Sequence, residues 1–370
     1  MDKKNGTVGI REYVALVLLM IGSKLSDDTA ALLYDKLKNA AWMSPIIGGM
    51  LSFIPIYLFL KVMTTLKDKN LHDVNIYLFG KYFGNVLSLL LWMTGTAAII
   101  IESRGYADII TNLYFTKTPL LAVYGVLILV CAYSAKKGIE HIGSVAWMLV
   151  FYVKITFLLS LLLSLQKTQF NRMFPFWGPG IKEVIQEGTL KSSVYFDLLF
   201  LGLITPIMSS MKDYKKGTWL VFVLVIIEIS GSLLIYELMF DWIPISNVSY
   251  PFHEAIRYIS IGRFLTNVET FFFPIWLIMC FIRFAAYIYL SAILFGGIFN
   301  IKKFENIIPA LGMLILLIGM IPETPAYTTY FLRNHFLNFI SPLFLGFPFL
   351  LWVVAKAKGE FKHEKSNKNM

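Results

Sequence analysis

Lys24, Asp27 and Asp28 fall within five positions of one another, in a polar run that follows apolar residues 13–21 and after which apolar residues resume. A charge at the centre of a membrane helix costs about 2.5–3.5 kcal/mol on insertion scales. Three together need a water-filled or protein-lined setting. The run Gly22-Ser23-Lys24-Leu25-Ser26-Asp27-Asp28-Thr29 therefore reads as a helix that stops and restarts. Half-helix ends leave peptide groups without partners; N–H groups at a helix start attract a carboxylate, and carbonyls at a helix end attract an ammonium. A second weak point is Gly202-Leu203-Ile204-Thr205-Pro206, where proline removes a backbone donor and clashes with the preceding turn. Gly22, Ser23, Lys24 and Asp27 from the first interruption, and Gly202 and Thr205 from the second, are the expected ligand contacts. The other reading of these residues is a plain kink at Pro206 and a first span that simply ends at the charged run.

Further ionisable residues lie inside apolar stretches. Glu102, Arg104, Tyr106 and Asp108 share one of them. Arg104 and Asp108 are four apart and can pair on one helix face; if that span ends early, the pair sits at the interface instead. Lys154 has no acidic neighbour in sequence, and an ion pair with Glu228 or Glu102 would hold it. Arg283 and Tyr287 share a face and either line a central cavity or snorkel toward the membrane surface. Glu102, Tyr106 and Tyr287 join the expected ligand contacts, with Lys154, Arg104 and Arg283 as coupling or structural charges. Glu228 and Glu237 are nine apart, about half a turn out of phase, which argues against a paired-carboxylate metal site. His72, His141, His253, His335 and His363 all fall in connections or tails, with no metal-ligand spacing. No phosphate-binding glycine loop or nucleophile elbow is present. The residues point to binding or movement of a small solute, with no catalytic residue, metal or cofactor expected.

These residues need membrane-spanning elements to hold them. Of 370 residues, 57% are hydrophobic and 15% charged, with mean hydropathy +0.67; soluble domains carry about 25% charged residues. A helix needs about 20 apolar residues to cross the hydrocarbon. Ten segments approach this: 9–34 (interrupted), 42–63, 83–110, 119–134, 142–165, 193–211, 218–240, 270–299, 307–321 and 336–355. With the N-terminus inside, 19 Lys/Arg fall on inner connections and 10 on outer ones, Lys191 and Arg333 among the latter. That bias places both termini on the cytoplasmic side. The net charge of +10 thus reflects membrane-flanking loops, with no nucleic-acid partner. Cys131 and Cys280 lie in apolar segments and read as free thiols. Residues 251–261 read as a short amphipathic helix on the outer surface, and 356–370 as a charged, disordered cytoplasmic tail. Interruptions in spans one and six, at corresponding places of a five-plus-five chain, point to an inverted-repeat transporter fold with discontinuous helices. One permease-like domain would cover 1–355, with repeats over about 9–165 and 193–355.

Several local patterns are familiar. Ala40-Ala41-Trp42-Met43-Ser44-Pro45 opens the second span, and Thr118-Pro119 precedes the fourth. Lys137-Gly138-Ile139-Glu140-His141-Ile142-Gly143 follows it, and Met173-Phe174-Pro175 with Gly180 follows the fifth. Tyr250-Pro251, Glu254, Arg257, Ile259, Phe264, Val268-Glu269, Phe272 and Trp276 form a further block. In these the chain resembles the B subunit of spore germinant receptors, a permease-like subunit of endospore-forming bacteria within the amino acid–polyamine–organocation superfamily. At Lys24, Asp27 and Asp28 it departs from the resembled pattern, which is mostly apolar or small. The resemblance implies an all-α integral membrane protein of about ten helices with the LeuT/APC-like fold. It implies a receptor that senses a small germinant such as an amino acid in the spore inner membrane, with an A subunit and a lipoprotein C subunit as partners. Proton-coupled solute transport is the alternative. In sodium-independent members of the superfamily a fifth-span lysine stands in for a coupling cation. By resemblance Lys154 is a proton carrier or a fixed charge tying the fifth span to the first.

Overall fold

The computed structural model describes residues 7–259 and 268–361. Lys3, Lys4, Phe264, His363 and the end of the expected tail lie outside the described residues. Helix α1 (Ile10–Gly22) stops where the charged run begins. A 3-10 turn, Ser23–Ser26, and an extended Asp27 (φ −94°, ψ −173°) separate it from α2 (Thr29–Leu37). A second 3-10 stretch, Lys38–Met43, leads into α3 (Ser44–Thr65). Helix α4 (Leu71–Phe79) starts on an Asn70/Asp73 capping box, which satisfies two otherwise orphaned donors. Then come α5 (Lys81–Ile109), α6 (Leu120–Lys136), α7 (Ile139–Ser164) and α8 (Ile181–Leu190). The sixth segment is mostly not α-helix: 3-10 turns at Ser192–Tyr195 and Leu201–Ile207 flank the four residues of α9 (Asp197–Phe200). The chain continues through α10 (Met211–Phe240), α11 (Trp242–Ser246), α12 (Pro251–Arg257), α13 (Val268–Ile298) and α14 (Ile308–Gly319). A π-helical stretch, Tyr327–Arg333, opens α15 (Asn334–Ala357).

Among the described residues, seven helical stretches are long and apolar enough to cross a membrane, and Leu120–Lys136 and Phe304–Gly319 are shorter apolar helices. One of the seven, Thr29–Thr65, runs α2 and α3 together. Large apolar side chains stand exposed along α3 and α7, including Met50, Ile54, Phe151, Ile155, Leu158 and Leu162. An apolar surface of that kind suits lipid rather than water. Helix α1 sits at the centre, packed against α7, α10 and α13, while α13 also packs on α5 and α6. Extended residue Val8 pairs with the foot of the sixth segment: its N–H donates to the Ile207 carbonyl at 2.9 Å, and its carbonyl accepts from Ser209 N–H at 3.0 Å.

Four expectations change. Helix α10 begins at Met211, seven residues early, so Lys212, Lys215 and Lys216 ride on its first turns. The last helical stretch begins at Tyr327, which carries Arg333 out of the expected loop into the bundle. Residues 251–257 do not lie on the surface: Phe252, His253, Ala255 and Ile256 are buried, and α12 packs over the turn at Ser23–Ser26. The tail is ordered as far as it is described. Lys358 donates to the Tyr77 carbonyl at 2.7 Å, Tyr77 hydroxyl donates to Glu360 at 2.6 Å, and Lys61 lies over the Phe361 ring.

Candidate ligand site at the broken first helix

The turn at Ser23–Ser26 exists because its peptide groups have side-chain partners. The Ser23 carbonyl accepts from Ser26 hydroxyl at 2.7 Å and Tyr106 hydroxyl at 3.0 Å. Ser23 hydroxyl returns to the Met20 carbonyl at 2.8 Å. Asp27 accepts from the Thr29 N–H at 2.8 Å, at the start of α2. Trp276 Nε1 donates to Ser26 at 2.9 Å, and the Trp276 ring stacks on Tyr106 at 5.3 Å. The half-helix ends are thus closed by the protein's own groups.

Around this turn lies a connected set of buried charges. Lys24 Nζ is 2.6 Å from Asp197 and 3.9 Å from Glu102, and donates to the Val194 carbonyl at 2.8 Å. Arg283 bonds Glu102, and reaches Ser23 hydroxyl at 2.8 Å and Tyr106 hydroxyl at 2.7 Å. Arg333 bonds Asp27, meets Asp28 at 2.5 Å and donates to Thr29 hydroxyl at 2.7 Å. Thr329 donates to Asp28 at 2.6 Å. Three cations therefore face four carboxylates, all seven nine-tenths or more buried. Removing one partner of such a pair costs about 3–5 kcal/mol, because a buried charge is left uncompensated.

Ser23, Lys24, Asp27, Glu102, Tyr106 and Arg283 thus come together, and Arg283, fully buried, does not snorkel. Tyr287 lines a small cavity beside the cluster with Glu102, Asp197, Phe196 and Phe200. Arg104 and Asp108 pair at 3.0 Å in the interior, and Arg104 also donates to the Gly319 carbonyl at 2.8 Å. Lys154 bonds both Glu228 oxygens, at 2.6 and 2.8 Å. That pair abuts the end of α1: a Cβ added to Gly22 would lie 2.6 Å from Lys154 Nζ and 2.8 Å from Glu228 Oε2.

Gly202 and Thr205 lie elsewhere. Thr205 hydroxyl donates to the Lys69 carbonyl at 2.9 Å, and Gly202 faces Phe59, Leu71 and Met63. The sixth segment meets the charges earlier, at Val194 and Asp197. Asp197 and Arg333 were missed. Asp197 carries the same mark as Lys24, a lone charge within an apolar run. Arg333 is the cation that Asp27 and Asp28 require, but the polar triplet Arg333-Asn334-His335 reads as a loop. His253 was also placed in a connection; it is buried, bonded to Tyr114 hydroxyl at 2.9 Å and set edge-on to Trp276 at 4.8 Å. Burial holds its imidazole far below the usual range, at about 3.

Comparison with known proteins agrees with this architecture. Spore germination protein YndE of Bacillus subtilis strain 168 is 22% identical over 326 residues, covering 85% of this chain and 86% of that one. Spore germination protein KB of the same organism is 20% identical over 372 residues, covering 97% of each. Among solved structures, Mhp1, a nucleobase-cation-symport-1 family transporter in a closed conformation with bromovinylhydantoin bound, superposes with a TM-score of 0.65. The identity is 14%, over 92% of this chain and 75% of that one, so this likeness shows the fold alone. The chain is a multi-pass, permease-like membrane protein with the fold of the amino acid–polyamine–organocation transporters. The pattern of the spore germination proteins matches residues 13–328, most of its length, and the chain belongs to that family.

Proposed function

We propose that this chain is the membrane subunit of a spore nutrient germinant receptor, which binds a small amino acid-like germinant at the broken first helix and signals to an A subunit and a lipoprotein C subunit. The observation that carries this reading is the buried charge cluster at Ser23–Asp28 in a chain of this family. It implies no catalytic step. Ser23, Lys24, Asp27, Glu102, Tyr106 and Tyr287 are the proposed contacts, with Asp197 and Arg333 added. A zwitterionic ligand would exchange with the internal pairs, its ammonium against Glu102 and Asp197 and its carboxylate against Lys24 or Arg283. Ligand affinity that differs between the paired and exchanged arrangements would shift the population of the two. The receptor would sit in the spore inner membrane with both termini cytoplasmic.

The test is germination of spores carrying Glu102→Gln or Asp197→Asn. The expected result is loss of response to one nutrient with other nutrients unaffected. Unchanged response to every nutrient, with the protein present in the membrane, would falsify the assignment.

The Lys154–Glu228 pair against Gly22 favours a second reading, proton-coupled transport of an amino acid or related solute. In that reading, proton exchange at the pair would release the end of α1. Uptake of labelled solute by liposomes holding this chain alone, abolished by Lys154→Ala, would favour transport. No uptake alongside nutrient-specific germination would favour the receptor.

A further inference from the structure

Helices α3 and α15 pack on one another, and four lysines gather at their C-terminal ends. Lys61 Nζ lies 4.8 Å from the centre of the Phe361 ring, and Lys356 Nζ 4.9 Å from that of Trp352. Lys69 and Lys358 share one ring: their ammoniums lie 4.8 and 5.3 Å from the centre of Tyr77. The aromatic faces attract the cations and fix where they stand. Lys61 and Lys69 are half-exposed, and Lys356 and Lys358 are exposed. None of the four forms an ion pair among the described residues. Glu360, the carboxylate that joins them, accepts from the Tyr77 hydroxyl at 2.6 Å; Asp68 is exposed and pairs with none of them. Lys358 uses one of its three donors on the Tyr77 carbonyl, at 2.7 Å. Two ammoniums over one ring repel each other, so the rim has unmet demand for negative charge.

One turn deeper, the same faces are apolar. Tyr57 comes four residues before Lys61 on α3, and Val353 three before Lys356 on α15, spacings that put each on its lysine's side of the helix. Leu350 lies one further turn in on the Val353 side. Tyr57, Leu350 and Val353 are all exposed and continue the apolar outer surface of α3 at Met50 and Ile54. A cationic rim beside an apolar strip has the two-part chemistry of a lipid at the membrane surface. A soluble anion would gain nothing from the strip. A zwitterionic headgroup would bring its own cation against the lysines.

We propose that this rim binds an anionic phospholipid, its phosphate among Lys61, Lys69, Lys356 and Lys358 and its acyl chains along Tyr57, Leu350 and Val353. Lys358 and Glu360 also bond Tyr77 of α4, so a lipid held here would brace α4 against the end of α15. The rim shares no residue with the charged centre and stands whether or not that centre binds a germinant.

The test uses the full chain purified in dodecyl maltoside, with dioleoyl phosphatidylglycerol as the probe. Dioleoyl phosphatidylcholine supplies the chains without net charge, and glycerol phosphate the charge without chains. A ligand that binds only the folded state raises the melting midpoint with concentration. Phosphatidylglycerol should raise it at lower concentration than phosphatidylcholine, and glycerol phosphate should leave it unchanged. Lys61→Gln combined with Lys358→Gln should weaken the phosphatidylglycerol response on the order of ten-fold or more, since each lysine near a membrane surface is worth about five-fold. Lys136→Gln combined with Lys137→Gln removes two exposed lysines at the end of α6, one of them over the Tyr133 ring at 5.0 Å, and should leave the response as it was. Equal responses to the two lipids, a response to glycerol phosphate, or equal losses in the two double variants would overturn the proposal. So would stabilisation by polyglutamate without stabilisation by phosphatidylglycerol, which would assign the rim to an acidic protein. If the first double variant does not accumulate, Lys356→Gln takes its place, with a loss of about five-fold expected and an undiminished response overturning the proposal.

Discussion

The two interrupted segments of this bundle solve the same problem by opposite means. At residues 23–28 the α-helix gives way to a 3-10 turn and an extended Asp27, and the gap is filled by charges from four other elements: Glu102 of α5, Asp197 of α9, Arg283 of α13, and Arg333 just before α15. At 192–207 the chain keeps turning but tightens to 3-10 geometry, and most of its side chains are apolar and buried. The first interruption is held by electrostatics and the second, apart from Val194 and Asp197 where it meets the charges, by packing. Each should therefore fail in a different way when altered.

The sharpest break is Arg333→Leu. It strips Asp28 of its cation and leaves Asp27 with Arg283 alone, at 3.9 Å, and should lower stability by about 3–5 kcal/mol, read as a fall in melting midpoint or in solubilised yield. Lys36→Leu, which removes an exposed pair with Asp35, should leave both nearly unchanged. If the two variants behave alike, the first interruption is not held by charge. Next is the glycine comparison. A Cβ at Gly202 would lie 2.7 Å from the end of the buried Phe59 ring, an overpacking that costs about 1–3 kcal/mol. A Cβ at Gly22 meets only the tips of Lys154 and Glu228, which can swing aside. Gly202→Ala should thus melt lower than Gly22→Ala, while Gly22→Ala should be the more damaging to germination or transport. Reversal of either ranking would mean that the packing and electrostatic roles have been assigned to the wrong segments.

A third effect is acid sensitivity beside the first interruption. His253 is held neutral, its value moved from 6.5 to about 3 by burial, so the folded state binds fewer protons than the unfolded one. Its share of stability is complete above about pH 6.5 and is lost as pH falls below it, by about 1.4 kcal/mol per unit. Melting midpoints measured from pH 7 to 5 should fall less steeply in His253→Gln than in the unaltered chain; parallel slopes would remove His253 from the account. Smallest is Thr205→Val, which loses the bond to the Lys69 carbonyl and should cost about 1 kcal/mol with little change in ligand response.

The same contrast explains what could be read from residues alone. The first interruption was legible because Lys24, Asp27 and Asp28 cannot rest in hydrocarbon, and their partners Glu102 and Arg283 carry the same signal. The second was legible only as a weak point. Gly202, Thr205 and Pro206 are helix-breaking residues, but 3-10 winding leaves no mark in composition, so the contact with the charged centre at Val194 and Asp197 went unseen. Arg333 was lost to a boundary error: its polar neighbours look like a loop, and only tertiary packing draws the π-helical stretch inward. His253 was misplaced for a similar reason, since a seven-residue helix with one apolar face can sit on a surface or plug a bundle, and its own sequence does not decide between them.

The pairing of Val8 with the chain at 207–209 has a mechanical corollary. Its two hydrogen bonds couple the foot of α1 to the foot of the sixth segment. A push on either is transmitted to the other, like a tie-rod joining two steered wheels. Any rocking of the central helices would carry both broken segments together, or else begin by uncoupling that short joint.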